Sequence, residues 1–259
     1  MHNRELKQDL ITREVYQQYC DAHNQFFTSG LNAEDRALYV FLTDEEYQAC
    51  EQLRWCKQKQ RKKIMEWLDY WLKVPDIVLM FGTQTFNDET LQKTESARAK
   101  AVQRMLTQFE DYASNIDYGK ESGREHYHFI IVADKQIADS VEWKKNKRGR
   151  KYASTIPGAE KYLALGNQNF QLIDTSQPKF AEKLAGYIAK LVNHSLKVKQ
   201  SRLGYKRDSA YQGYQKAKNY LKTPYLSVEK RLNAYERLDA WITDRKMMRL
   251  FDGLVDFVQ

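Results

Sequence analysis

The stretch "DYGKESGREHYHFIIVADK", residues 117–135, decides how the rest of the chain is read. From His126 to Ala133 it is mostly apolar with β-branched residues, which is the pattern of a strand. Glu121, Ser122 and Gly123 carry turn chemistry, so the segment around them reads as a hairpin. Side chains on a strand alternate between faces, which sets His126 and His128 on one side and Tyr127 on the other. Two imidazoles so placed can share one ion, although a bare His-x-His also occurs as an ordinary pair of edge histidines. Across the hairpin, Asp117 can supply a carboxylate, with Glu121 and Glu125 as competitors for that role. Two imidazoles and one carboxylate leave positions open on a divalent ion, as a catalytic site requires.

Working outward, "DIVLMFGTQTF" (76–86) reads as a central strand and "ARAKAVQRMLTQFEDYA" (97–113) as a helix with Val102, Met105, Leu106 and Phe109 on one stripe. "VEWKKNKRGRKYAS" (141–154) reads as a polar, basic connection, and "NFQLIDT" (169–175) as a short strand. "QPKFAEKLAGYIAKLVNHSL" (177–196) reads as a helix starting near Pro178. Ahead of these lie two helical segments. The second opens with Thr43 and Glu46 in a capping-box spacing and is ended by Pro75. Beyond residue 200 the chain reads as further helix, broken at Thr223–Pro224. The expected fold is α+β, an antiparallel central sheet with helices packed on it. Its divisions are an N-terminal helical extension (1–75), a core (76–200) and a C-terminal helical extension (201–259).

The formal charge of the 259 residues is +8, and it is unevenly spread. Residues 143–222 hold 18 Lys and Arg against 4 Asp and Glu, a net +14, which leaves −6 for the remainder. Such concentration fits a polyanionic partner, because neutralising phosphates releases counterions. The run Lys144, Lys145, Lys147, Arg148, Arg150 and Lys151 is the expected backbone contact. Tyrosines 205, 211, 214, 220 and 225, interleaved with lysines, suit either stacking on bases or packing on the core. Three cysteines, Cys20, Cys50 and Cys56, are too few for a disulfide framework. With His23 they could form a dispersed zinc site, but reduced structural thiols are the simpler reading. No apolar run approaches a membrane span, and the polar start lacks the apolar core of a leader, so a cytoplasmic protein is expected.

Projected at about 100° per residue, the helix after Pro178 buries Phe180, Leu184, Ile188 and Leu191. Lys183, Tyr187, Lys190 and His194 fall in a band along its edge. A tyrosine there is held by packing while its hydroxyl stays accessible, and a lysine one turn on can meet a phosphate or a tyrosinate.

Taken in order, "FGTQTFND" (81–88), "DYG…GREHYH" (117–128) and "GYIAK" (186–190) resemble the three motifs of HUH-superfamily rolling-circle replication initiator endonucleases, those of small single-stranded DNA phages and related plasmids in particular. The resemblance covers about residues 76–195. It implies an HUH nuclease fold, His126, His128 and Asp117 as ligands of Mn²⁺ or Mg²⁺, Tyr187 as nucleophile and Lys190 as its helper. Asp117 stands where the family commonly has glutamate. Gly-Thr-Gln-Thr departs from the more apolar first motif, and Leu191 replaces the second tyrosine of some relatives, which favours a single-tyrosine enzyme.

The implied activity is nicking and rejoining of single-stranded or hairpin origin DNA through a 5′-phosphotyrosine, in a bacterial or archaeal host. Tyrosine is mostly neutral at pH 7 and needs help losing its proton; a water on the metal, Lys190 and solvent are the candidates. No phosphate-binding Gly-x-x-x-x-Gly-Lys-Ser/Thr loop occurs, so a separate helicase and host replication proteins are expected partners, and no membrane. The rival readings are a single-tyrosine HUH transposase, a non-catalytic nucleic-acid-binding protein and a hydrolase using activated water.

Overall fold

The computed structural model describes residues 11–12, 14–21, 43–118, 124–147, 149–177, 179–189, 192–194, 197–199, 203–222, 227 and 229–230. Its architecture is α+β, built on a seven-stranded antiparallel sheet. The strands are β1 (Ile77–Phe86), β2 (Asp111–Tyr118), β3 (Glu125–Asp134), β4 (Lys144–Lys145), β5 (Lys151–Ala153), β6 (Gly166–Leu172) and, outside that sheet, the pair β7 (Val192–His194) and β8 (Lys197–Lys199). With β9 (Gly204–Tyr205) on one edge, the order is β4-β5-β6-β1-β3-β2-β9. The helices are α1 (Asp44–Lys73), α2 (Asp88–Leu91), α3 (Glu95–Leu106), α4 (Lys135–Asp139), α5 (Phe180–Ile188) and α6 (Ala210–Leu221). Residues 14–21 are also helical. Among the described residues no helix is long and apolar enough to cross a membrane.

β3, an interior strand between β1 and β2, is apolar on both faces. Ile130 and Val132 point into a core with Leu79, Ala113 and the α1 residues Ile64, Trp67, Leu68 and Trp71, which Ala185 and Ile188 of α5 and Tyr211 of α6 complete. Phe129, Ile131 and Ala133 point into the opposite core with Val102, Met105 and Leu106 of α3 and with Phe109 and Phe170. One face of the sheet is thus covered by α1, α5 and α6, and the other by α3. The alternation that builds both cores also assigns His126 and His128 to the α5 side.

A buried carboxylate ties the first face together. Asp111, at the start of β2, accepts hydrogen bonds from the indole Nε1 atoms of Trp67 and Trp71 at 2.8 and 3.0 Å, and its other oxygen accepts from the Tyr112 backbone N–H at 2.8 Å. The hydroxyl of Ser209, which caps α6, also bonds it. Burial pushes the Asp111 carboxyl up, against the opposing pull of these donors.

Three expectations are corrected. The helix expected over 97–113 ends at Leu106, and residues 111–113 begin β2. The pairing of Ala113 with Ile130 and the indole bonds to Asp111 outweigh the helical pattern there. The helix expected to run to residue 196 ends at Ile188, whose carbonyl is taken by the Asn115 side-chain amide at 2.7 Å. His194 therefore lies in β7 and not on the edge of α5. The basic connection is an antiparallel strand pair, Lys144 opposite Tyr152 and Lys145 opposite Lys151. The capping box is present: the Glu46 N–H donates to the Thr43 hydroxyl and the Thr43 N–H to the Glu46 carboxylate, at 3.3 and 2.9 Å. The turn at 119–123, Pro178, the break at 223–224, part of the N-terminal extension and most of the C-terminal one lie outside the described residues.

Gly82 sits opposite Phe129, and a Cβ added to it would meet the Phe129 ring at 2.0 Å. That ring is fully buried and has nowhere to go. Gly82→Ala is therefore expected to destabilise the protein by about 1–3 kcal/mol in chemical denaturation. Asp111 offers a second check. Its native pKa lies above the unfolded value, so its contribution to stability is complete below about pH 4 and is lost as pH rises through the native value. Asp111→Asn removes that titration, so stability measured from about pH 3 to 7 should decline in the wild type relative to the variant.

Candidate active site

The residues of the site come from four elements whose positions follow from strand register. In the sheet, His128 stands between Thr83 of β1 and Asn115 of β2, and His126 between Thr85 and Asp117. Period-two alternation turns all six toward the face covered by α5. The Nε2 atoms of His126 and His128 are 3.1 Å apart, and each lies 3.4 Å from the same oxygen of Asp117. All three side chains are largely buried.

Second contacts orient the imidazoles. His126 Nδ1 lies 3.1 Å from the Arg124 carbonyl, which can only accept, so Nδ1 carries the proton and Nε2 presents a lone pair. His128 Nδ1 lies 3.0 Å from the Thr83 hydroxyl, which accepts in the same way when Nδ1 is protonated. In that tautomer two imidazole lone pairs and one carboxylate oxygen converge with no proton among them, an arrangement that a cation satisfies. Two donors held about 2.1 Å from one ion at 90–110° are roughly 3.0–3.4 Å apart, which matches the spacing of the three atoms. Among the described residues this is the one group of three side chains able to hold a metal ion.

The competing carboxylates sort themselves by position. Glu125 points to the other face and forms a buried ion pair with Arg98, whose Nε donates to it at 3.0 Å. Glu121 lies outside the described residues. Cys50 is buried with Ile11, Tyr19 and Leu53, Cys20 packs against that group, and burial pushes the Cys50 thiol up to about 12. His23 lies outside the described residues.

Tyr187, near the end of α5, reaches the same point. Its hydroxyl is 3.1 Å from His128 Nε2, and its ring stands edge-on to Phe81 and against the His128 ring, with centroids 5.4 and 4.9 Å apart. The residue is nonetheless 43% exposed. Burial and the negative charge of Asp117 both raise its pKa. Ala185 and Ile188 seat α5 on the sheet, and the bond from Asn115 fixes its end one residue beyond Tyr187.

No protein-family model, curated protein or solved structure matches this chain.

The structure therefore brings Asp117, His126, His128 and Tyr187 together. Lys183 is exposed on α5, one turn before Tyr187. Lys190 and Arg148 lie outside the described residues. Lys144, Lys145, Lys147, Arg150 and Lys151 are exposed at the far edge of the sheet. β5 is three strands from β3, about 14 Å at the usual spacing, so this basic edge does not touch the site. Thr83 and Asn115 are the supporting residues that sequence reasoning missed. Thr83 lay inside a quoted motif, but only the register of β1 against β3 gives it a role.

Titration with Mn²⁺ followed by calorimetry should show one site that His126→Ala or His128→Ala abolishes. Thr83→Val, which keeps the shape but removes the partner of His128 Nδ1, is expected to weaken it by about 10–100-fold.

Proposed function

We propose that this protein is a metal-dependent endonuclease and strand transferase of the HUH type, which nicks single-stranded DNA through Tyr187 and initiates rolling-circle replication. The observation that carries the reading is the approach of the hydroxyl of Tyr187 to 3.1 Å from a histidine of an Asp/His/His group. A hydrolase needs no such residue, since water is its nucleophile. The antiparallel sheet with both histidines on one interior strand, and the order of the three motifs along the chain, support the HUH assignment.

The residues divide the work. Asp117, His126 and His128 would hold Mn²⁺ or Mg²⁺, whose positive charge, when bound, offsets the negative charge of the phosphodiester and polarises a non-bridging oxygen. Phe81, the end of α5 and the Asn115 bond hold the Tyr187 oxygen beside that point. Attack of that oxygen on phosphorus forms a tyrosine–phosphate ester and breaks the bond to the 3′ oxygen, which leaves as a hydroxyl. The tyrosyl hydroxyl gives up a proton and the leaving 3′ oxygen takes one up, so the exchange is proton-neutral, and the raised pKa of Tyr187 opposes the first of these transfers. One phosphoester is exchanged for another, so the 3′-hydroxyl can reverse the step and rejoin ends without ATP. Until then it can serve as a primer.

Lys183, about 6 Å along the helix from Tyr187, is placed to meet a phosphate beside the scissile one. The basic edge at β4 and β5 would hold the strand farther out. A free 3′ end with no motor in the chain calls for a separate helicase and host replication proteins, in the cytoplasm of a bacterial or archaeal cell.

Incubation of the protein with labelled single-stranded DNA and Mn²⁺ should yield a covalent adduct that survives denaturation, maps to Tyr187 by peptide mass spectrometry and disappears with chelator. Tyr187→Phe should abolish it while the affinity for DNA changes less than about twofold. Cleaved DNA without any adduct would establish the hydrolase instead.

A further inference from the structure

α1 is 30 residues long, about 45 Å, and only its second half packs on the sheet. From Gln52 to Met65 the sequence holds Arg54, Lys57, Lys59, Arg61, Lys62 and Lys63 and no acidic residue, a net +6 in 14 positions. The buried positions of this stretch, Leu53 and Ile64, lie on one side of the helix. On the opposite side Trp55, Lys59, Lys62 and Lys63 fall within about 100° of one another. All four are exposed. Trp55 is 57% exposed, and the Lys59 ammonium lies 4.7 Å from the centroid of its ring. Among the described residues none of the three lysines pairs with a carboxylate. Glu66 bounds the stripe at its C-terminal end.

An indole costs free energy when left in water, and three adjacent ammonium groups repel one another, so the stripe is unfavourable by itself. A polyanion with flat apolar groups relieves both. From this we infer that the Trp55–Lys63 stripe is a second binding surface for single-stranded nucleic acid, with the lysines on successive phosphates and the indole against a base. The lysines are spaced about 4.5–6 Å along the axis, from Lys59 to Lys62 and Lys63. Duplex DNA offers its backbone but hides its base faces, which leaves Trp55 without a partner. An anionic membrane would need an apolar face, and the neighbours of Trp55 on the stripe are Gln52, Gln58 and lysines.

α1 packs along α5 through the side opposite the stripe. Arg61, about 100° round the helix from Lys62, lies 3.8 Å from Glu182, which precedes Tyr187 by five residues. The binding surface does not depend on Tyr187 being a nucleophile.

The test is fluorescence anisotropy of a short labelled oligonucleotide with the full chain, in chelator so that no cutting contributes. The lysines are exposed and glutamine is a comparable helix former, so Lys59→Gln/Lys62→Gln/Lys63→Gln should fold, as circular dichroism will verify. The triple variant is expected to weaken single-strand binding at least about tenfold and to reduce the slope of log K against log salt by roughly 2. Trp55→Ala should weaken it by roughly tenfold with the slope unchanged. Unchanged affinity and slope in the triple variant overturn the proposal. Equal losses on single strand and duplex with no effect of Trp55→Ala overturn the single-strand assignment. So does lysine-dependent binding to phosphatidylglycerol vesicles in place of DNA. An adduct experiment that fails leaves these readings intact, since binding is scored without cleavage.

Discussion

The arrangement depends on the pairing of β3 with a strand on each side. Because β3 is hydrogen-bonded to β1 and β2 together, His126 and His128 cannot slip by a residue without turning Ile130 and Val132 out of one core and Phe129 and Ile131 out of the other. The two cores thus act as a clamp on the register, and the register sets the distance between two imidazoles to 3.1 Å. The neighbours gain their positions from the same ladder. Asp117 is beside His126 because Asp111 is beside Val132. A site placed by strand pairing is more rigid than one carried on loops.

Electrostatics at the site then follow from the convergence of its three donors. Three electron-rich atoms converge where no hydrogen atom can lie between all of them, and the negative charge of Asp117 is felt as far as the Tyr187 hydroxyl, whose ionisation it opposes. A positive ion at this point would reverse that sign for every group around it. The charge beside the Tyr187 hydroxyl thus sets the direction in which its ionisation is biased.

Much of this was legible in the residues. The strand character of 76–86 came from its β-branched, apolar run, the shared face of the two histidines came from alternation, and the capping box fixed the start of α1 to within a residue. What the sequence hid has physical causes. Residues 107–113 keep a helical pattern, but the pairing of Ala113 with Ile130 is non-local and no window of neighbours reveals it. The end of α5 at Ile188 depends on Asn115, which lies 73 positions away. Thr83 gained a role only through its partner across the sheet. Charge was misjudged for a different reason: summing over everything outside 143–222 gave −6 and concealed the run between Arg54 and Lys63. A helix exposes charge as stripes, and totals erase stripes.

The bonds from Trp67 and Trp71 to Asp111 make the strand beside the histidines depend on residues that precede the first strand. A buried carboxylate deprived of its donors is costly, so the sheet cannot be cut free at Pro75 and remain the same sheet. In modular terms, the smallest portion of this chain that could be transplanted, shuffled by recombination or fused to another protein includes the second half of α1. The helix that looks like an appendage in the linear sequence belongs to the inheritance unit of the site.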